Sequence, residues 1–157
     1  MSSTTIATPL DERELCAWRG LLRTHATLTK ALDARLEAAH GLSLSTYEVL
    51  ASLQDTERHR MRMCDLASTA MLSRSGLSRL ADRLERDGLI ARASCHDDAR
   101  GAYAVLTEAG AAKLSEARAT HLEAVREHFL GRLSDDELDA LAAAWGRLSG
   151  APDAPAD

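Results

Sequence analysis

Ser73-Arg74-Ser75-Gly76-Leu77-Ser78-Arg79-Leu80-Ala81-Asp82-Arg83-Leu84-Glu85-Arg86-Asp87-Gly88 is the stretch that decides the fold. A serine hydroxyl at the head of such a run accepts one of the orphan N–H groups of a first helical turn, so Ser73 is read as an N-cap. Leu77, Leu80, Ala81 and Leu84 then recur at helical spacing, and Gly88 ends the helix. The opposite face collects Ser75, Ser78, Arg79, Asp82, Arg83 and Arg86, at offsets 0, 3, 4, 7, 8 and 11. A solvated face held by i,i+4 pairs such as Asp82 with Arg86 explains such a ridge at about 0.2 to 0.5 kcal/mol per pair. A row of hydroxyls and guanidinium forks also suits phosphate oxygens and base edges.

Working outward, residues 63–67 read as a short helix with Leu66, Ala67 and Ala70 inside, reached through a polar stretch at 56–62. Ser45-Thr46-Tyr47-Glu48 has the spacing of a capping box opening a helix with Tyr47, Leu50, Ala51 and Gln54. After Gly88, residues 89–95 and 102–106 suit two strands of a hairpin around a turn at 96–101. Long amphipathic helices are expected on both flanks. The first runs from Asp11 to Gly41 with Leu15, Trp18, Leu22, Leu28, Leu32 and Leu36. Another opens at Thr107 with Leu114, Ala117, Leu122, Val125 and Phe129. A further box, Ser134-Asp135-Asp136-Glu137, precedes Leu138, Leu141, Trp145 and Leu148.

Two short helices followed by a hairpin are the order of a winged helix-turn-helix, in which one helix fits the major groove and the hairpin reaches neighbouring phosphates or the minor groove. The expected fold is mainly α (α+β). A single domain spans 10–149, with dimerisation helices at 10–40 and 107–149 and a DNA-binding lobe at 45–106, between a disordered arm at 1–9 and a loose tail at 150–157. On this reading Arg74, Ser75, Ser78, Arg79 and Arg83 face double-stranded DNA, with Ser73 and Arg86 at the ends of the row. Arg100 sits at the wing tip, aimed by Asp98. The apolar end helices, which a chain of 157 residues can hardly bury alone, point to a homodimer.

The formal charge of −5 argues against a polyanionic partner, but its distribution does not. Residues 58–100 carry nine Arg against six acids, a net +3, leaving −8 on the rest. Of 19 basic residues all but Lys30 and Lys113 are Arg. Only Trp18, Tyr47, Tyr103, Phe129 and Trp145 are aromatic, and the excess of Ala and Leu favours helix. No apolar run has the roughly 18 to 20 residues that span a bilayer, so no membrane partner and a cytoplasmic location are expected.

The stretch 66–89 resembles the helix-turn-helix of the MarR family of bacterial transcriptional regulators. Asp98-Ala99-Arg100 followed by Leu106-Thr107-Glu108-Ala109-Gly110 is similar to that family's D-x-R…L-T-x-x-G wing signature. The resemblance implies a homodimeric repressor on a pseudo-palindromic operator, with interlocked end helices and each wing Arg in a minor groove. Met71 stands where such turns often carry Gly, and Ala99 replaces a frequent second Arg. The resemblance also implies release by a small aromatic or phenolic effector bound between the dimer helices and the DNA-binding lobe. Trp18, Arg19, Arg23, His25 and Tyr47 lie on the helices that would line that cleft.

A thiol-sensing branch of the family places a cysteine near Cys16, which makes redox control an alternative. Against it, Glu12 and Glu14 oppose a thiolate and the first helix has no Tyr. Cys16, Cys64 and Cys95 are too widely spaced for a disulfide framework or a CxxC site. His121 with His128, and Cys95-His96-Asp97, fall short of a four-ligand metal set, so no metal and no cofactor are expected. Without a G-x-S-x-G elbow, a P-loop or a Gly-rich dinucleotide turn, catalysis is not expected. The alternative of a different class is a helical protein-interaction module that binds no DNA.

Overall fold

The computed structural model describes residues 8–94 and 102–149. The expected wing turn, with Cys95, Asp98 and Arg100, lies outside the described residues, as do most of the expected arm and the whole tail. Among the described residues the order is α1 (Glu12–His40), α2 (Leu44–Gln54), β1 (Arg60–Arg62), α3 (Met63–Thr69), α4 (Arg74–Arg86), β2 (Ile90–Ser94), β3 (Ala102–Leu106), α5 (Glu108–His128), a 3-10 turn (Leu130–Arg132) and α6 (Asp135–Ser149).

Local chemistry sets most of these boundaries. Asp11 and Glu14 form a reciprocal capping box at the start of α1, and Gly41, at φ +63°, ends it in the left-handed region. The helix α2 opens two residues earlier than the expected Ser45 box. Leu42 and Leu44 are both buried, so the chain must already turn there. Ser43 therefore caps, accepting from Thr46 N at 3.1 Å, while the Asp33 carboxylate takes the Leu44 N–H at 2.8 Å. Glu48 is left on the exposed side. The box at Ser134 forms as expected, Ser134 N donating to Glu137 Oε2 at 2.8 Å.

The polar stretch before α3 holds a strand that residue preferences do not announce. Arg60–Arg62 pairs antiparallel with β3, Arg62 opposite Tyr103 and Arg60 opposite Val105, so the expected hairpin is a three-stranded sheet of order β1-β3-β2. Such a short Arg-rich strand exists because a pairing edge is available, which is the tertiary context that β-propensity tracks.

Leu36, Leu50, Leu53, Leu66, Leu77, Leu84, Ile90, Ala104 and Leu114 meet in one core where α1, α2 and α5 enclose the lobe. His40 Nε2 and Thr120 Oγ1, 2.8 Å apart, tie the end of α1 to α5. In α5 the expected inward Leu122 is instead 40% exposed and Ala124 is buried. Among the described residues nothing in the first half of α1 or in α6 is fully buried, and Trp18, Leu21, Leu22, Trp145 and Leu148 are exposed.

Two backbone positions carry the turns of the lobe. Met71, between α3 and α4, has φ +52° with its side chain in solvent. Gly110, in the first turn of α5, packs so tightly on the Leu89 carbonyl that a Cβ would collide with it. A left-handed non-Gly residue costs roughly 1 to 2 kcal/mol, and the entropy of glycine returns roughly 0.5 to 1 of that. Met71→Gly should therefore stabilise the protein by about 0.5 to 1 kcal/mol. Gly110→Ala should destabilise it by roughly 1 to 3 kcal/mol through overpacking. Urea-unfolding midpoints of both variants check the two signs together.

Candidate nucleic-acid interface

Helix α4 presents its polar ridge because its other face is fixed. Leu77, Leu80, Ala81 and Leu84 are at most 4% exposed, which sets the rotation of the helix, and Ser73 Oγ caps it by accepting from Gly76 N at 3.0 Å. Arg74, Ser75, Ser78, Arg79, Asp82, Arg83 and Arg86 are all exposed, as is the capping Ser73. Among the described residues Arg74, Arg79 and Arg83 form no ion pair. Their guanidinium groups are thus available to an external anion, the arrangement that phosphate and base-edge recognition needs.

Asp82 does not use its carboxylate on Arg86. Arg86 Nε donates to the Asp82 backbone carbonyl at 3.2 Å, whereas Asp82 Oδ1 lies 2.7 Å from a terminal guanidinium nitrogen of Arg92 on β2. Arg92 thus meets the ridge from another element, a contact that helical spacing within one element could not reveal. A second such group lies on the outer face of the sheet, where Arg60 and Arg62 lie 5.0 and 5.8 Å from the Tyr103 ring and Arg62 Nε donates to its hydroxyl at 3.3 Å. Two Arg at i,i+2 share a face only once the strand is known.

The five residues expected around an effector do not converge. Trp18 and His25 line an apolar cavity of about 650 Å³ between α1 and α6 with Leu21, Phe129 and Trp145. Arg23 borders a neighbouring cavity of about 320 Å³ with His128, Arg132, Leu28, Phe129 and Leu133, whereas Arg19 is simply exposed. Tyr47 is buried, its ring stacked on His121 with centroids 4.2 Å apart. Cys16 is exposed on α1, and the other described thiol, Cys64, is on α3. Among the described residues no three His, Cys, Asp or Glu side chains stand close enough to hold a metal, and no helix is long and apolar enough to cross a membrane.

Residues 42–101, from the end of α1 through the lobe, match the sequence model of the MarR family. The fold is similar to that of AbsC, a MarR family transcriptional regulator from Streptomyces coelicolor. The two are 37% identical, with a TM-score of 0.83 over 92% of this chain and 97% of that one. The chain belongs to the MarR family. It is also similar to a second MarR regulator of Streptomyces coelicolor, Sco3205, whose structure is a complex with DNA. Here the identity is 30% and the TM-score 0.85, over 93% of this chain and 91% of that one. The HTH-type transcriptional repressor YetL of Bacillus subtilis is 31% identical over 114 residues, 71% of this chain and 66% of that protein. The chain thus spans about two thirds of that curated MarR relative.

One titrating group is built into the packing behind this MarR lobe. Among the described residues, buried His121 Nδ1 has no hydrogen-bond partner, and burial holds the ring below the ordinary imidazole value. The unfolded chain then binds a proton that folded His121 resists, so stability is full above about pH 6.5 and falls as the pH drops through that value. His121→Phe keeps a ring against Tyr47 and removes the proton site. Its unfolding free energy should fall less between pH 7.5 and 5.5 than that of the unaltered protein, which parallel urea titrations measure.

Proposed function

We propose that this chain is a sequence-specific, double-stranded DNA-binding transcriptional regulator acting as a homodimeric repressor, with α4 of each subunit in a major groove of a pseudo-palindromic operator. The observation that carries the reading is the α4 ridge: Ser75, Ser78, Arg79 and Arg83 exposed on a helix whose rotation is fixed by a buried opposite face. Membership of a family of transcriptional regulators, and similarity to Sco3205, whose structure is a complex with DNA, support it. Asp98 and Arg100 supply the wing contact in this reading. A DNA partner fits a cytoplasmic location.

The dimer reading rests on the apolar groove between α1 and α6. Trp18 is 53% exposed and Leu148 75%, and a contiguous apolar surface of this kind marks an association site. For the effector we favour a small aromatic anion. The cavity beside Arg23 is lined by two arginines, Arg23 and Arg132, together with the apolar Leu28, Phe129 and Leu133, which brings charge and apolar surface to one place. Such a ligand releases DNA only by preferring one spacing of the two lobes over another.

Fluorescence anisotropy with DNA from directly upstream of the protein's own gene tests the central reading. Binding should weaken with salt by roughly 0.9 log units per log unit of salt for each phosphate contact, and random DNA should bind more weakly. Arg79→Ala should cost roughly 1 to 3 kcal/mol if the side chain reads a base. Equal affinity for specific and random DNA would overturn sequence specificity. No binding to either would favour a protein-interaction module. Sedimentation at micromolar concentration should show a dimer, and a monomer would overturn that part.

A further inference from the structure

We propose that Arg92 is a positioning residue for DNA binding, which acts through Asp82 and Ser78 of α4 without touching DNA itself. The inference rests on the DNA-binding reading above and deepens it. Asp82 is the one acid in the row Ser75, Ser78, Arg79, Asp82, Arg83 and Arg86. A carboxylate there faces the same phosphates that the arginines attract, and like-charge juxtaposition opposes association. Arg92 removes this conflict. A terminal guanidinium nitrogen lies 2.7 Å from Asp82 Oδ1 and also donates to the Ser78 backbone carbonyl at 3.3 Å.

The register explains why Arg92 points inward. It pairs across the sheet with Ala104, which is fully buried, so it lies on the sheet face that packs towards α4, opposite the face that carries Tyr103. Glu85, one helical turn beyond Asp82 on α4, holds Arg92 at both ends. Its Oε1 accepts the Arg92 backbone N–H at 3.3 Å and its Oε2 lies 3.8 Å from Nε. One arginine is thereby fixed by three residues of the proposed recognition helix. The wing strand and that helix are joined as a unit, and the acid of the ridge is matched by a cation from outside it.

A double-mutant cycle read by anisotropy on the operator tests the role. Arg92→Ala should weaken binding roughly three- to tenfold in a dimer that contains the pair twice, because Asp82 then faces DNA uncompensated. Asp82→Asn alone should raise affinity, because the ridge then lacks its one acid. Asp82→Asn in the Arg92→Ala background should restore most of the loss, a restoration that a purely structural defect would not show. Arg92→Lys, which keeps the charge and loses the fork, should fall between. Additive effects of the two substitutions would overturn the proposal. So would a salt slope reduced by roughly 0.9 per lost contact and not restored by Asp82→Asn, which would mean that Arg92 meets phosphate directly. Should Arg92→Ala fail to fold, Arg92→Gln takes its place in the same cycle. Absence of binding by the unaltered protein would instead overturn the DNA-binding reading on which the cycle depends.

Discussion

Residues 88–89, where α4 passes into β2, are bonded to residues 107–110, where β3 passes into α5, and the rest of the lobe depends on that joint. The Thr107 hydroxyl donates to the Gly88 carbonyl at 2.6 Å and accepts from Gly110 N at 3.0 Å, while the Thr107 N–H donates to the Leu89 carbonyl at 3.2 Å. Gly110 lets the backbones close, since any side chain would occupy the space of the Leu89 oxygen. Around the joint Leu84, Ile90 and Leu106 are buried together. A helix with its C-terminal end held in this way and one face buried has a single rotation open to it, which is why its polar ridge is a defined surface.

Charge in this protein is managed over short distances. A net −5 would repel DNA if the charges acted from a common centre, but ionic screening at physiological salt confines each exposed charge to about 8 Å. What counts is then the local row of arginines on α4 and the fate of the acid among them. Asp82 is matched by Arg92, and Glu85 lies on the side of α4 that faces β2. The remaining acids of the chain fall outside the stretch 58–100 in a ratio that leaves this stretch positive.

Much of this was legible from local signals. Ser73 and Thr107 as caps, Gly41 and Gly88 as helix ends, the α4 stripe and the strand 102–106 follow from chemistry within a few residues, and all are found as read. Met71, read as standing at a position that glycine favours, does have a positive φ. What failed was what depends on distant partners. The strand β1 exists because β3 offers it an edge. The start of α2 is set by Asp33 from another helix, and Asp82 prefers an arginine ten residues on, in a different element, to the one four residues on in its own. Tyr47, read as one of the residues around an effector, has its ring stacked on His121, a contact between elements that spacing within one helix does not announce.

The rigid joint at Gly88 and Thr107 also makes α4 a lever. Its 13 residues extend about 20 Å from the joint to Arg74, at 1.5 Å per residue. Any change of angle at the joint is therefore magnified along α4, and the Arg74 end, farthest from it, moves most. The same change moves the Arg86 end, next to the fulcrum, hardly at all.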